Sequence, residues 1–246
     1  MSTVARLTLV ETRLLLRDWA VVGFNLVFPA LLLVVLGLIP GFTDPDPDLN
    51  GGRLIDLYLP IVLVLAFVFS GISAAPSILV GYREQGVLRR LRLTPVGPTP
   101  LLVASLLANL LFALVASLGA VVAAIAVYDV RPPASWGGVL ATLVLAPAAL
   151  FALGMILAAV APTASVANAV SPLVWLPIMV LAGLWFPREA MPDLMRTISD
   201  YSPGGAAVDA MQRAWFVGAP TASSLLVLAV CAVVAAAVAA RLFRWE

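Results

Sequence analysis

Residues Leu101 to Val127 read LLVASLLANLLFALVASLGAVVAAIAV, with no charged side chain from end to end. About 20 consecutive apolar residues suffice for an α-helix to cross the hydrocarbon of a bilayer. The polar side chains in this run are only Ser105, Asn109 and Ser117, so a helix made from it is apolar all round and needs lipid or protein on every side. The same test finds five further segments: Trp19 to Ile39, Ile55 to Val80, Gly138 to Ala161, Asn168 to Leu184 and Thr221 to Ala240. Gly138 to Ala161 and Asn168 to Leu184, the fourth and fifth of the six in chain order, are separated only by Pro162 to Ala167, a joint that suits a tight helical hairpin. The expected fold is an all-α integral membrane protein with six transmembrane helices.

Composition agrees. Of 246 residues, 63% are hydrophobic and 11% charged, with mean hydropathy +1.09, whereas a water-soluble domain carries ~25% charged residues. The first apolar run follows a charged segment and ends without a small-residue cleavage site, so it is expected to stay in the membrane. The sequence has no histidine and one cysteine, Cys231. Histidine relays, Ser/His/Asp triads and multi-cysteine zinc sites are therefore excluded. All 14 basic residues are arginine. Without lysine the chain cannot carry a phosphate-binding loop, so any ATP that drives it is expected on another polypeptide. The net charge of +1 argues against a nucleic-acid partner.

Arginine placement predicts orientation. With both termini in the cytoplasm, Arg6, Arg13, Arg17, Arg83, Arg89, Arg90, Arg92, Arg241 and Arg244 lie inside, and Arg53, Arg131, Arg188, Arg196 and Arg213 outside. Asp44, Asp46 and Asp48 then crowd one outer loop. Residues 1–18 are expected to form an amphipathic helix along the inner leaflet, because Arg6, Arg13 and Arg17 fall within about a 40° arc at 100° per residue. Residues 185–219 are too charged to cross lipid and too long for a structureless loop. Pro192-Asp193 and Ser202-Pro203 are helix starts. Val208, Met211 and Trp215 then share a face, and Asp209 and Arg213 are spaced for an i,i+4 ion pair. A re-entrant pair of short helices at the outer face is expected before the last span.

Charged groups within the spans are scarce. Asp56 can reach Arg53 at the outer end of the second span. Asn109 and Asn168 suit helix–helix hydrogen bonds or span boundaries. Pro29, Pro60, Pro76, Pro147, Pro172 and Pro177 loosen the helices locally. Phe67, Phe69, Trp175 and Phe186 offer apolar, π-faced surface of the kind that lines a path for amphipathic molecules. Together with Asn168 they are the candidate substrate pathway.

Residues 81–100 read GYREQGVLRRLRLTPVGPTP. A short helix here, with Leu88 and Leu91 towards the membrane, presents Arg89, Arg90 and Arg92 to a partner or to lipid, and Thr94-Pro95 ends it. The run Arg83-Glu84-Gln85-Gly86, Leu88-Arg89-Arg90-Leu91, Thr94-Pro95-Val96 resembles the pattern RE-x-G-x-L-x-R-L-x-x-TP of type-2 ABC exporter permeases, the group that includes daunorubicin-resistance transport proteins. Ala182-Gly183-Leu184-Trp185-Phe186-Pro187, then Met191-Pro192, Ser202-Pro203 and Ala206 to Arg213, resembles that family's SG-x-x-FP-x-x-x-MP tail. Phe28-Pro29 also fits, and the matches run in order along nearly the whole chain. There are departures. Val103 to Asn109 lacks a basic residue often found there, and Gly97 stands where Ser is common.

The resemblance implies a single permease domain over residues 1–246, in the cell membrane with cytoplasmic termini. It implies a second permease subunit, identical or related, and two cytoplasmic ABC ATPase subunits that carry ATP and magnesium, with no cofactor or metal on this chain. By the same resemblance Arg83, Glu84, Gly86, Arg89, Arg90, Thr94 and Pro95 couple the permease to its ATPases. The outer helices, with Pro187, Met191, Pro192, Pro203 and Arg213, close the exit. The implied function is ATP-driven export of hydrophobic or amphipathic, antibiotic-like molecules. Export of lipid or polysaccharide by the same mechanism, or a non-transporting scaffold, remain as alternatives.

Overall fold

In a computed structural model of the chain, residues 2–45, 52–94, 97–185, 188 and 191–242 are described. The expectations that fall on Asp46, Asp48, Pro95, Val96, Phe186, Pro187 and Arg244 lie outside the described residues. Among the described residues there is no strand, and the fold is an all-α integral membrane protein. Helix α1 spans Thr3–Arg17. The first apolar segment forms α2 (Trp19–Val21), a π-helical turn over Val22–Val27 and α3 (Phe28–Gly37). The second is one 31-residue helical path, Leu54–Glu84. It comprises α4 (Leu54–Val68), a π segment over Phe69–Ala74, and α5 (Ala75–Glu84). Then come α6 (Val87–Arg92), α7 (Thr99–Tyr128), α8 (Trp136–Val160), α9 (Ala164–Leu181), α10 (Asp193–Tyr201), α11 (Pro203–Phe216) and α12 (Ala222–Leu242).

Among the described residues five helical paths are long and apolar enough to cross a bilayer, and the sixth candidate is the bent pair Thr3–Arg17 and Val22–Gly37, whose axes differ by 95°. This accommodates the expected six spans. The boundaries move, however: the hairpin joint shrinks to residues 161–163, and α9 ends at Leu181. Helix α1 was expected to lie on lipid, yet Leu15 packs with Ala108 and Phe112 of α7. Its arginines Arg6, Arg13 and Arg17 stay exposed.

The path Leu54–Glu84 is the axis of the bundle. Its apolar window is 83% buried, against 17% for Ala222–Leu242, which therefore lies at the periphery. Phe67, Leu59, Leu63 and Val64 are fully or almost fully enclosed there. Both π segments end just before a proline, Pro29 and Pro76. Proline lacks the N–H that would bond the carbonyl four residues back, so at Pro76 the Ile72 carbonyl is released. The Ser171 hydroxyl of α9 lies 3.0 Å from it and shares its proton with Ala167 O of its own helix at 2.7 Å. Beside this bulge the backbones nearly touch. A Cβ on Gly154 of α8 would stand 1.8 Å from the Gly71 oxygen, so only glycine fits.

Side-chain caps set three of the helix starts, of which the sequence reading named only Ser202. Ser135 accepts from Gly138 N at 3.1 Å, Thr163 from Val166 N at 3.2 Å, and Ser202 from Gly205 N at 3.0 Å. Between α5 and α6, Gly86 adopts φ +67°, a left-handed conformation that lets the chain turn sharply. As a result α6 and the α8–α9 turn share one end of the bundle. The described residues of the α3–α4 connection, the α7–α8 connection and α10–α11 share the other. At that second end Arg53 pairs with Asp56 at 2.8 Å and donates to Tyr128 O at 2.7 Å, which ties α4 to α7.

Candidate functional site

At the α6 end, the residues expected to act together divide into two sets. Half-buried Arg83 and exposed Glu84 both bond to the backbone of the α8–α9 turn. The Arg83 guanidinium donates to the carbonyls of Ala158, at 3.3 Å, and Ala161. Glu84 accepts from Ala164 N at 3.0 Å. Helix α8 ends at Val160 and α9 begins at Ala164. A cation thus meets the carbonyls left over at one helix C-terminus, and an anion meets an N–H left over at the next helix N-terminus. The two adjacent residues clamp the α8–α9 turn from both sides.

Arg89 and Arg90 are exposed on α6, and Arg90 also donates to Gln85 O at 3.1 Å. Thr94, just past the helix, donates to Leu91 O at 2.8 Å. Leu88 does not face the membrane as its spacing suggested. It is 1% exposed and packs with Leu79, Leu101, Leu102, Ala158 and Ala167, with Leu91 partly buried against the same cluster. The physical reason is tertiary: α5, α7, α8 and the start of α9 converge here and provide a drier site than the bilayer surface. The outcome is a short helix anchored by a leucine beneath, with arginines on top and a clamp at its root.

At the other end α10 and α11 form the expected helix pair. Ala206, Ala207, Val208, Ala210 and Met211 are fully buried, and Trp215 is 4% exposed. Trp215 Nε1 donates to Arg131 O at 2.9 Å, and Gln212 to Leu57 O at 3.3 Å. Helix α11 therefore sits among the spans, while α10 leaves Leu194, Ile198 and Tyr201 exposed. Met191 is buried, Pro192 caps α10 and is exposed, and Pro203 is the first residue of α11.

The expected Asp209–Arg213 pair is present at 3.1 Å, as part of a larger network that sequence reasoning missed. Arg188 is 7% exposed and pairs with Asp200, with Asp209 at 3.6 Å, and with the Gly205 carbonyl at 2.8 Å. Ser224 of α12 donates to Asp209 at 2.6 Å and Thr221 at 3.2 Å. Burial opposes ionisation of Asp209, but the hydrogen bonds from Ser224 and Arg213 and the charges of Arg188 and Arg213 outweigh it, so its carboxyl is held below the ordinary range. The network fastens α10, α11 and the start of α12 together.

The candidate pathway residues also divide. Phe67 is fully buried in the bundle core and lines no open surface. Phe69 meets Trp175 edge-on at 5.1 Å between centroids. Phe28 meets Phe69 at 5.7 Å, and Phe24 meets Phe28 at 6.1 Å. An aromatic run thus links the first span, the π segment of the second, and α9. Phe24 and Phe28 were legible as an i,i+4 pair. Asn168 is exposed on α9, two turns before Trp175, while Asn109 is buried and bonds Ser105 O of its own helix at 3.0 Å.

These features lie in the order that the two sequence motifs suggested, and the sequence pattern of the family described as ABC-2 type transporter matches residues 4–216. The chain belongs to the ABC-2 type transporter family. It is a multi-pass membrane component of an ABC transporter, in a family that associates with ABC ATPase subunits. No curated protein matches the chain. In this ABC-2 type chain the match includes the clamp, α6 and the buried α11, and α12 lies beyond it.

Proposed function

We infer that the chain is the permease subunit of an ATP-driven exporter of hydrophobic or amphipathic small molecules, antibiotic-like in character. Two such subunits, identical or related, pair in the cell membrane with cytoplasmic termini. Two separate ATPase subunits bind ATP and magnesium, and this chain binds none. Residues 1–246 act as one permease domain.

The observation that carries this reading is the pairing of exposed Arg89 and Arg90 on α6 with the clamp at its root. An ATPase that grips the arginines moves α6 as a stiff lever. Gly86 supplies the pivot, and Arg83 and Glu84 pass the displacement to the α8–α9 turn. A rigid-body movement needs such fixed contacts, because a loop would absorb it. Substrate moves along the aromatic run of Phe28, Phe69 and Trp175, past Asn168. The α10–α11 pair, with Met191, Pro192, Pro203 and Arg213, closes the outer side, and Arg188 with Asp209 locks it.

Reversing both charges, Arg89→Glu with Arg90→Glu, tests the coupling in the reconstituted complex. ATP hydrolysis is expected to continue while transport falls at least about tenfold, the scale of losing one buried charge contact, with membrane insertion intact. Unchanged transport in the double variant overturns the coupling assignment.

A further inference from the structure

On α1 one residue is out of character. Glu11 lies on the face opposite the arginines, about 140° from the centre of their arc at 100° per residue. It is 5% exposed. Among the described residues no arginine pairs with it: the four ion pairs found there involve Arg53, Arg188 and Arg213. Its neighbours are neutral. Both carboxyl oxygens lie 2.8 Å from the Tyr82 hydroxyl of α5, and Ser105 of α7 brings a second hydroxyl near. A buried carboxylate without a cation is costly, by several kcal/mol, and burial pushes the Glu11 carboxyl above its ordinary range.

The carboxyl is not sealed in. It lines a cavity of about 290 Å³ between α1, α5 and the start of the first span, together with Asp18, Ser77, Ile78, Tyr82 and Gln85. Ser105 is six residues into α7, about 9 Å of helix rise, so the cavity sits near the α6 end of the bundle. Leucines of α1 and Ile78 give it an apolar side.

We propose that this cavity binds the ammonium head of a cationic amphiphile, with the Glu11 carboxylate as its counter-ion and Tyr82 beside it. The charge selects a cation, because an anion meets Glu11 and Asp18, and a neutral head gains no charge pairing from the Glu11 carboxyl. A hard divalent metal is disfavoured, since it asks for six or more oxygen ligands and the described residues hold no metal-binding group of three acidic or cysteine side chains. Size selects a head and not a whole drug: about 290 Å³ lies at the lower limit of small-molecule pockets. The tail runs out along the apolar side. The ammonium comes either from a soluble amphiphile or from a membrane lipid. The inference concerns binding and does not depend on the direction of transport.

A hydrophobic carbodiimide, which modifies buried carboxyls, reads the site directly. The full chain is treated with dicyclohexylcarbodiimide in nanodiscs of phosphatidylglycerol, and the Glu11 peptide is followed by mass spectrometry. Dodecyltrimethylammonium is expected to protect Glu11 at least about tenfold better than uncharged dodecyl maltoside. Protection by phosphatidylethanolamine nanodiscs without added cation assigns the occupant to lipid, and protection by the added cation alone assigns it to a soluble amphiphile. Equal labelling under all conditions overturns the proposal. So does an absence of labelling, because a site open to an amphiphile is open to the carbodiimide. Native mass spectrometry with dodecyltrimethylammonium gives a second test: Glu11→Gln is expected to retain less of the cation than the parent chain, and equal retention also overturns the proposal.

Discussion

Arg83 and Glu84 are neighbours in sequence, yet each serves a different helix. Arg83 neutralises the carbonyl end of α8, and Glu84 the amide end of α9. Their order therefore matters as much as their charges. Exchanging them, Arg83→Glu with Glu84→Arg, keeps the net charge but sets each charge against a like dipole end. The exchanged protein is expected to melt below the parent, and Glu84→Gln, which keeps an acceptor oxygen, to stay closer to it. Each lost charge-assisted bond is worth about 1–3 kcal/mol. Thermal unfolding in detergent checks this, and a melting temperature unchanged by the exchange removes the clamp from the account. Glu11 makes a related point. Its position opposite the arginine arc was a signal in the sequence, since an acid on a buried face needs a partner. Only the fold shows that the partner is Tyr82.

At the scale of elements, α11 depends on its charges. Arg188 is buried, so its partners Asp200 and Asp209 offset a desolvation cost of several kcal/mol. Asp209 also receives Arg213 of its own helix and Thr221 and Ser224 at the start of α12, and through Arg188 it reaches Asp200 of α10. Asp209→Asn is expected to loosen α10 and α11 first, seen as faster hydrogen exchange over residues 193–216 than over α4. Equal exchange in both regions would count against the network. The pH dependence follows from the lowered pKa. A carboxyl depressed in the folded state contributes stability above its ordinary value of 3.8 and loses it as pH falls through the folded value. Parent and Asp209→Asn melting temperatures are therefore expected to keep a constant gap near neutrality, and to converge only on acidification below about pH 4. The two π segments are the other element-scale feature. Each precedes a proline, and the carbonyl released by Pro76 is taken up by Ser171 of a different span. The second span is thereby bonded to a neighbouring span at its middle rather than merely weakened.

The whole molecule is a bundle around one buried helical path, with the short arginine-bearing helix α6 at one end and the Arg188–Asp209 ion-pair network at the other. As a membrane component of an ABC transporter it belongs to a family that associates with ABC ATPase subunits. Purification of the tagged chain from native membranes in mild detergent is expected to bring down a soluble ATPase carrying a phosphate loop, in a ratio near one to one. Mass spectrometry of the co-purified material measures this. Recovery of the permease alone, under conditions that preserve weak complexes, would leave the exporter reading without its engine and favour a scaffold.

The sequence by itself determined the solvent, the number of candidate spans and the starts of the two short outer helices. Uncharged runs such as Leu101–Val127 have one stable environment, and caps such as Ser202-Pro203 act on the residues immediately after them. It also determined the family, because the motif residues around Arg83 and Met191 are local in the chain. Tertiary structure alone decided which polar groups meet. Leu88 turned inward because four helices converge beneath it, Phe67 was enclosed instead of lining a path, and Arg188 reached Asp209 across the chain. Helical periodicity fixes the face a residue occupies, but not the neighbour that face will find. Burial and pairing are properties of two surfaces at once, and the second surface comes from distant sequence.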